Sequence, residues 1–93
     1  MEVITKNEFR KDLRKCPNHI QRKTGEIINI LEKTESLQTS GLDYKKMHGE
    51  KKGENFHRIR VGDWRIGVEL VRPSIIIITI LHRGEIYKQL SPK

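Results

Sequence analysis

Cysteine is almost absent from this 93-residue chain. Cys16 is the single copy, which excludes an intramolecular disulfide and a thiolate metal cluster. No nucleophile motif surrounds it, and beside a helix break it reads as a small buried or half-buried apolar residue. Long apolar runs are missing as well. The longest, residues 75–78, is far too short to span a bilayer, and the N-terminal stretch is too polar for the core of a signal peptide. The expectation is a cytoplasmic protein without membrane contact. Also lacking are a glycine-rich nucleotide loop followed by Lys-Ser or Lys-Thr, a His-Glu-x-x-His or Cys-x-x-Cys spacing, and a serine elbow. The four histidines are scattered. Neither a metal nor a cofactor is expected.

What is abundant is positive charge. Lysine and arginine number 19 against 12 acids, a formal net charge of +7 and a pI near 9.8. Residues 1–93 are long enough for one domain with a single core, so that excess is concentrated and favours a polyanionic partner. The plainer reading, charge for solubility alone, is common in small domains. The hydrophobic share is 34% and the charged share 33%, so the core must be small and well patterned.

Patterning predicts a strand at residues 2–5 and a first helix capped by Thr5 or Asn7, with Thr5 and Glu8 spaced as a capping box. Phe9 and Leu13 give that helix a narrow apolar stripe, and Arg10, Lys11, Arg14 and Lys15 a basic solvated face. Cys16-Pro17 interrupts it, because proline lacks an amide donor and biases its predecessor away from helix. A second helix then runs to about Ser36, burying Ile20, Ile27, Ile28 and Leu31, with Gly25 inside it as a mark of close packing. Residues 37–53 are polar and glycine-rich, a long loop or irregular element carrying Lys45, Lys46, Lys51 and Lys52. Strands follow at about 55–61, 64–71 and 75–82, then a short tail. The predicted architecture is α+β: an N-terminal strand and a two-helix hairpin packed on one face of a small, mainly antiparallel sheet, with an open basic face opposite.

The stretch FHRIRVGDWRIGVEL, residues 56–70, decides which side chains share that open face. Gly62-Asp63 is a two-residue turn of the kind that makes a primed hairpin. It sets Val61 opposite Trp64, Arg60 opposite Arg65, Ile59 opposite Ile66 and Arg58 opposite Gly67. Opposed residues share a face and neighbours alternate. Ile59, Val61, Trp64, Ile66, Val68 and Leu70 therefore form the core face. Arg58, Arg60, Arg65, Gly67 and Glu69 form the other, with Gly67 leaving room above the sheet. For the last hairpin a three-residue loop would set Gly67 opposite Thr79 and Asp63 opposite Arg83. That register adds Thr79 and Arg83 to the arginine face and gives Ile76, Ile78 and Ile80 to the core; a one-residue slip would invert it.

Arg60 facing Arg65 costs a few tenths to about 1 kcal/mol, and local violations of this kind are expected at functional sites. Guanidinium holds its charge and grips phosphate with two donors, so the face reads as a phosphate-binding site. The plain alternative is a solvated strand face relieved by Glu69, Glu54 and Asp63. Cleavage of RNA through its own 2′-hydroxyl would further need a base, cations for the crowded phosphate and an acid for the leaving oxygen. Arginines can supply the charge. His82, Tyr87, His57 and Glu69 are nearby groups able to handle protons or position a nucleotide. His57 alternates onto the core face and reads as structural, whereas His82 ends its strand beside Arg83.

Residues 56–67 resemble the hallmark hairpin of the RelE/ParE toxin superfamily, and HRGEIY, residues 82–87, is similar to its closing motif. The helical hairpin, the length and the basic pI agree. The resemblance implies a RelE-like fold and the toxin of a bacterial type II toxin–antitoxin system. RelE-like members are mRNA interferases, endoribonucleases that cut mRNA in the ribosomal A site, without metal, through a 2′,3′-cyclic phosphate, and so inhibit translation. By position, Arg58 and Arg60 match the basic pair of the first hairpin strand and Arg65 the phosphate-stabilising arginine. Arg83 matches the closing-motif arginine proposed for charge stabilisation or leaving-group protonation, and Tyr87 the nucleotide-orienting tyrosine. The implied partners are a small acidic antitoxin from an adjacent gene, mRNA and the 70S ribosome, which Lys45, Lys46, Lys51 and Lys52 would touch. DNA would be met only through the toxin–antitoxin complex.

The chain departs from that pattern in one place that matters. Where some RelE-like enzymes carry a lysine as candidate base, it has Arg60, which stays protonated. His82 could take the part, or position and field could activate the hydroxyl. The ParE branch shares the fold and poisons DNA gyrase without the ribonuclease residues. A non-catalytic nucleic-acid-binding corepressor is the third reading.

Overall fold

The computed structural model describes residues 1–47 and 55–85. Its elements run β1 (Glu2–Thr5), α1 (Asn7–Arg14), α2 (Asn18–Lys33), α3 (Leu37–Ser40), β2 (Tyr44–Lys46), β3 (Phe56–Val61), β4 (Trp64–Val71) and β5 (Ser74–His82). The sheet is mixed, in the order β1-β5-β4-β3-β2, with β1 parallel to β5 and the other neighbours antiparallel. Helices α1 and α2 bury Phe9, Ile20, Ile27 and Leu31 against Ile59, Val61, Ile66, Val68, Ile75, Ile77 and Ile80. This is the expected α+β arrangement, with the helices on one face of the sheet. Among the described residues no helix is long and apolar enough to cross a membrane.

The helices differ from expectation mainly at their ends. The first N-cap is Lys6, without a side-chain cap, because Thr5 is held in β1 opposite Ile77 and the Lys6 amide donates to the Ile77 carbonyl at 2.9 Å. Thr5 and Asn7 instead accept hydrogen bonds from the Arg10 guanidinium. Helix α2 stops at Lys33, since Thr34 is extended and its hydroxyl turns back to the Ile30 carbonyl at 2.9 Å. Ser36 then caps α3, accepting from the Thr39 amide at 3.2 Å. Residues 37–47, the described part of the stretch 37–53 expected to be a long loop or irregular element, thus contain a helical turn and an edge strand. Cys16 is buried, as expected, and burial followed by the nearby Asp12 charge raises its thiol pKa.

The Gly62-Asp63 turn is as expected. Gly62 has φ +62° while no described non-glycine residue has positive φ, which fits a II′ turn with glycine in its first central position. The last hairpin is not. Its loop has two residues, so Val71 opposes Ser74 and Val68 opposes Ile77, and a β-bulge between Gly67 and Val68 then restores Gly67 opposite Thr79. Ile78 is the extra residue of β5. The strand therefore begins in the slipped register and ends in the expected one. Ile75 and Ile77 lie in the core with Ile80, whereas Ile76 and Ile78 are only half-buried. Thr79 pairs with Gly67 as expected, yet it is fully enclosed and donates to the Asp12 carboxylate on α1 at 2.6 Å, so it is not an exposed member of the arginine face.

Gly25 is not a close-packing residue. It is exposed, and a Cβ built there meets nothing within 4 Å. Inside a helix its cost is then purely conformational. Gly25→Ala should raise unfolding free energy by about 0.5–1 kcal/mol, read as a higher urea midpoint at unchanged m-value.

Candidate nucleic-acid interface

The register of β3 on β4 matches expectation at every position: Arg58 opposes Gly67, Arg60 opposes Arg65 and Val61 opposes Trp64. Strand β2, absent from the sequence reading, extends the same face, because Lys45 opposes Arg58. Arg65 is anchored at the turn end, its Nη1 donating to the carbonyls of Gly62 and Trp64 at 2.9 Å each. Burial holds this guanidinium below the ordinary arginine range, and Arg60, Arg58 and Arg83 push the same way. Three arginines from two other places in the chain thus bear on Arg65. Arg83 reaches the group because its amide donates to the Asp63 carbonyl at 2.8 Å, holding the end of β5 against the turn.

Among the described residues one acid forms an ion pair with this cluster, and the sequence reading passed over it. Asp43, just before β2, lies 3.9 Å from Arg60 Nη1, accepts the Arg60 amide on its carbonyl at 2.8 Å and acts against the depression at Arg65. The salt bridge itself is open to water, with side-chain exposures of 57% for Arg60 and 67% for Asp43, so it adds little stability. Its importance is chemical: it puts a proton acceptor among groups that can only donate. Nothing in the sequence pointed to Asp43, because its place depends on β2 pairing with β3. Glu69 opposes Phe56 on the arginine face, and Glu54 lies outside the described residues.

Other expected site residues fall elsewhere. His82 opposes Trp64 and meets its ring edge-on, with centroids 5.5 Å apart, so alternation puts it across the pleat from Arg65. Lys46 opposes His57 and likewise faces the helix side, separated from its neighbour Lys45 by the same alternation. Gly67 is buried, so the room expected above it is not open to solvent. Tyr87, Lys51 and Lys52 lie outside the described residues. No group of three or more His, Cys, Asp or Glu among the described residues could hold a metal ion.

The opposed pair Arg60 and Arg65 makes a double prediction. Arg60→Gln should stabilise the fold by a few tenths to about 1 kcal/mol and, if this face binds RNA, should weaken that binding and shrink its salt slope by about one phosphate contact. Urea denaturation and filter binding across a salt series would measure the two effects. His57 predicts a pH effect. Burial lowers its pKa, with Lys46 adding and a contact to the Asn55 carbonyl opposing. Between that lowered value and the ordinary 6.5 the unfolded chain binds more protons, so stability should fall as pH drops through this window. His57→Asn should flatten that part of the stability profile.

The geometry can be set beside known proteins. The sequence profile of the family described as ParE toxin of type II toxin–antitoxin system, parDE, matches residues 3–87. Toxin RelE3 of Methanocaldococcus jannaschii is 40% identical over 87 residues, covering 94% of this chain and 96% of that one. The crystal structure of a RelB–RelE antitoxin–toxin complex from Methanococcus jannaschii superposes with TM-score 0.78 at 38% identity, over 95% of this chain and 99% of that one. An archaeal RelE–RelB complex from Pyrococcus horikoshii OT3 gives 0.72 at 25% identity, over 89% and 94%. An archaeal relative at this similarity means that membership does not place the chain in a bacterium. With a profile spanning nearly the whole chain and relatives that are RelE toxins, the chain belongs to the RelE/ParE toxin superfamily as a RelE-family type II toxin.

Proposed function

We propose that this toxin is a ribosome-dependent mRNA endoribonuclease that works through the RNA 2′-hydroxyl without a metal. The observation carrying the reading is the gathering of Arg58 and Arg60 opposite Arg65, with Arg83 held at the same end of the sheet, a density of positive charge suited to a phosphodiester. Arg65, tied to two backbone carbonyls, is preorganised, so little reorganisation is needed when charge builds on the phosphate.

In the reaction the 2′-oxygen attacks the adjacent phosphorus, its proton passes to a base, and the bond to the 5′-oxygen breaks to leave a 2′,3′-cyclic phosphate. Arg65 and Arg58 would hold the non-bridging oxygens, and Arg83 would face the charge on the leaving oxygen, which takes its proton from water. Asp43 is the proton acceptor in this scheme, since it adjoins Arg60 while His82 lies across the pleat. Tyr87 keeps the nucleotide-orienting role implied by the family, and Lys45 extends the phosphate track onto β2. The site of action would be the cytoplasm, where ribosomes are.

The relatives named above were crystallised with RelB antitoxins, which supports an antitoxin partner here. The open face suits an acidic, amphipathic one. Beside its arginines the register puts Phe56, Ile76 and Ile4, the last 42% exposed, so one partner could bury apolar surface and neutralise charge together.

The test is primer extension on mRNA held by 70S ribosomes. Cuts within the A-site codon are expected, absent on naked mRNA. Arg65→Ala should lower the rate by about 10²-fold or more while remaining folded. Asp43→Asn should bind RNA at least as tightly yet cleave about 10²–10⁴-fold more slowly, so binding and chemistry move apart. Wild-type cleavage by folded Arg65→Ala would sink the site. If the wild type leaves mRNA intact but blocks supercoiling by DNA gyrase, the ParE-like reading named by the family profile replaces it.

A further inference from the structure

Alternation leaves Lys46 and His57 on the helix side of the sheet, outside the arginine site, yet the fold brings them together again. They line a recess of about 180 Å³ between α3 and the far end of the sheet, with Gln38, Tyr44, Asn55 and Arg72, two leucines completing its wall. Three features give it a chemical character. Its charged lining residues are both cations, Lys46 and Arg72, with no carboxylate among them. Two flat rings meet there, Tyr44 and His57, with centroids 6.0 Å apart and planes 53° from parallel. Gln38 also lines it, a residue whose amide both donates and accepts and so suits the edge of a base.

Size narrows the occupant. Sites that enclose a whole drug-sized ligand usually hold about 300–1,000 Å³, so this recess suits a single ring system rather than a complete cofactor. Burial keeps His57 mostly neutral near pH 7, which leaves its ring a flat heteroaromatic surface rather than a third cation. Rings for stacking, amides for edges and cations for flanking phosphates are what proteins use to hold an unstacked base of single-stranded RNA.

We propose that the recess lined by Gln38, Tyr44, Lys46, His57 and Arg72 binds one unstacked base of single-stranded RNA, with Lys46 and Arg72 on its flanking phosphates. The proposal rests on the ribonuclease reading for its choice of RNA as ligand. It adds a second nucleotide contact, on the opposite face of the sheet from the arginine cluster. Arg72 also borders an adjoining recess with Glu69, a residue of the arginine face.

The test uses the full chain and the four nucleoside 5′-monophosphates, followed by NMR at the Tyr44 and His57 ring protons. Shifts at both rings are expected, and should persist in Arg65→Ala, whose phosphate site is crippled. Ribose 5-phosphate and inorganic phosphate should produce none. Lys46→Ala and Gln38→Ala, exposed-face changes that spare the core, should each weaken the monophosphate Kd at least threefold. Equal shifts with inorganic phosphate would overturn the base-binding assignment and leave an anion site. Loss of the ring shifts in folded Arg65→Ala would overturn it too, tracing them to the arginine face. Ribosomal cleavage without ring shifts would sink this inference and spare the ribonuclease reading. Ring shifts without cleavage would do the reverse.

Discussion

The site depends on one constraint, the two-residue turn at Gly62-Asp63. A shorter or longer connection would shift β4 against β3 by a residue and send alternate side chains through the sheet. With two residues Arg60 is held opposite Arg65, an arrangement each strand would avoid on stability grounds. The strands accept it because the other face gains more. Ile59, Val61, Ile66 and Val68 on that face are almost wholly buried, each worth about 1.5–3 kcal/mol against at most about 1 kcal/mol for the opposed charges. The hydrophobic face therefore dictates the register, and the guanidinium groups are carried into position by it. Charge at the site is concentrated by burial elsewhere, not by attraction among its members.

That explains which parts of the molecule could be read beforehand. The β3–β4 pairing was legible because its turn chemistry, its alternation and its apolar content all agree. The arginine cluster followed from it directly. β5 was half legible: an almost unbroken run of isoleucine carries no alternation to show which side faces in, and only Thr79 broke the pattern. Thr79 misled, because a single hydroxyl can be buried once it finds an acceptor, here Asp12 on α1. The bulge at Ile78 then let both registers coexist in one strand. Strand β2 was illegible for the opposite reason. Three polar residues at a sheet edge have no apolar signature, and their strand character comes from β3.

Asp43 shows what such a blind spot costs. Its neighbours in sequence are unremarkable, and it becomes part of the site only because β2 docks on β3 and brings Lys45 opposite Arg58. The acids that sequence reasoning chose to balance the arginines lay on the visible strands or close by. The one that meets Arg60 came from the segment read as loop. A site built from side chains of three strands cannot be completed when one strand is missing from the picture.

The same alternation that assembles the arginine face also divides the basic residues that look clustered in sequence. Lys45 and Lys46 are adjacent and part company across the sheet, and Arg83 and His82 do the same at the end of β5. Adjacent cations on a strand cannot serve one phosphate, because successive side chains point to opposite faces. Such a run charges both faces instead. If the ligand is RNA, as proposed, a strand that crosses the arginine face and turns past Arg72 would meet positive charge on either side of the sheet. The two faces then differ in kind. One gathers guanidinium groups, with Phe56 beside them by register, and suits a phosphate. The other sets Tyr44 and His57 beside Gln38 and two cations, the recess proposed to hold a base. On these two proposals holding and cutting would be separated by the thickness of one sheet, so a substitution on either face would change one function without passing through the core that keeps both in register.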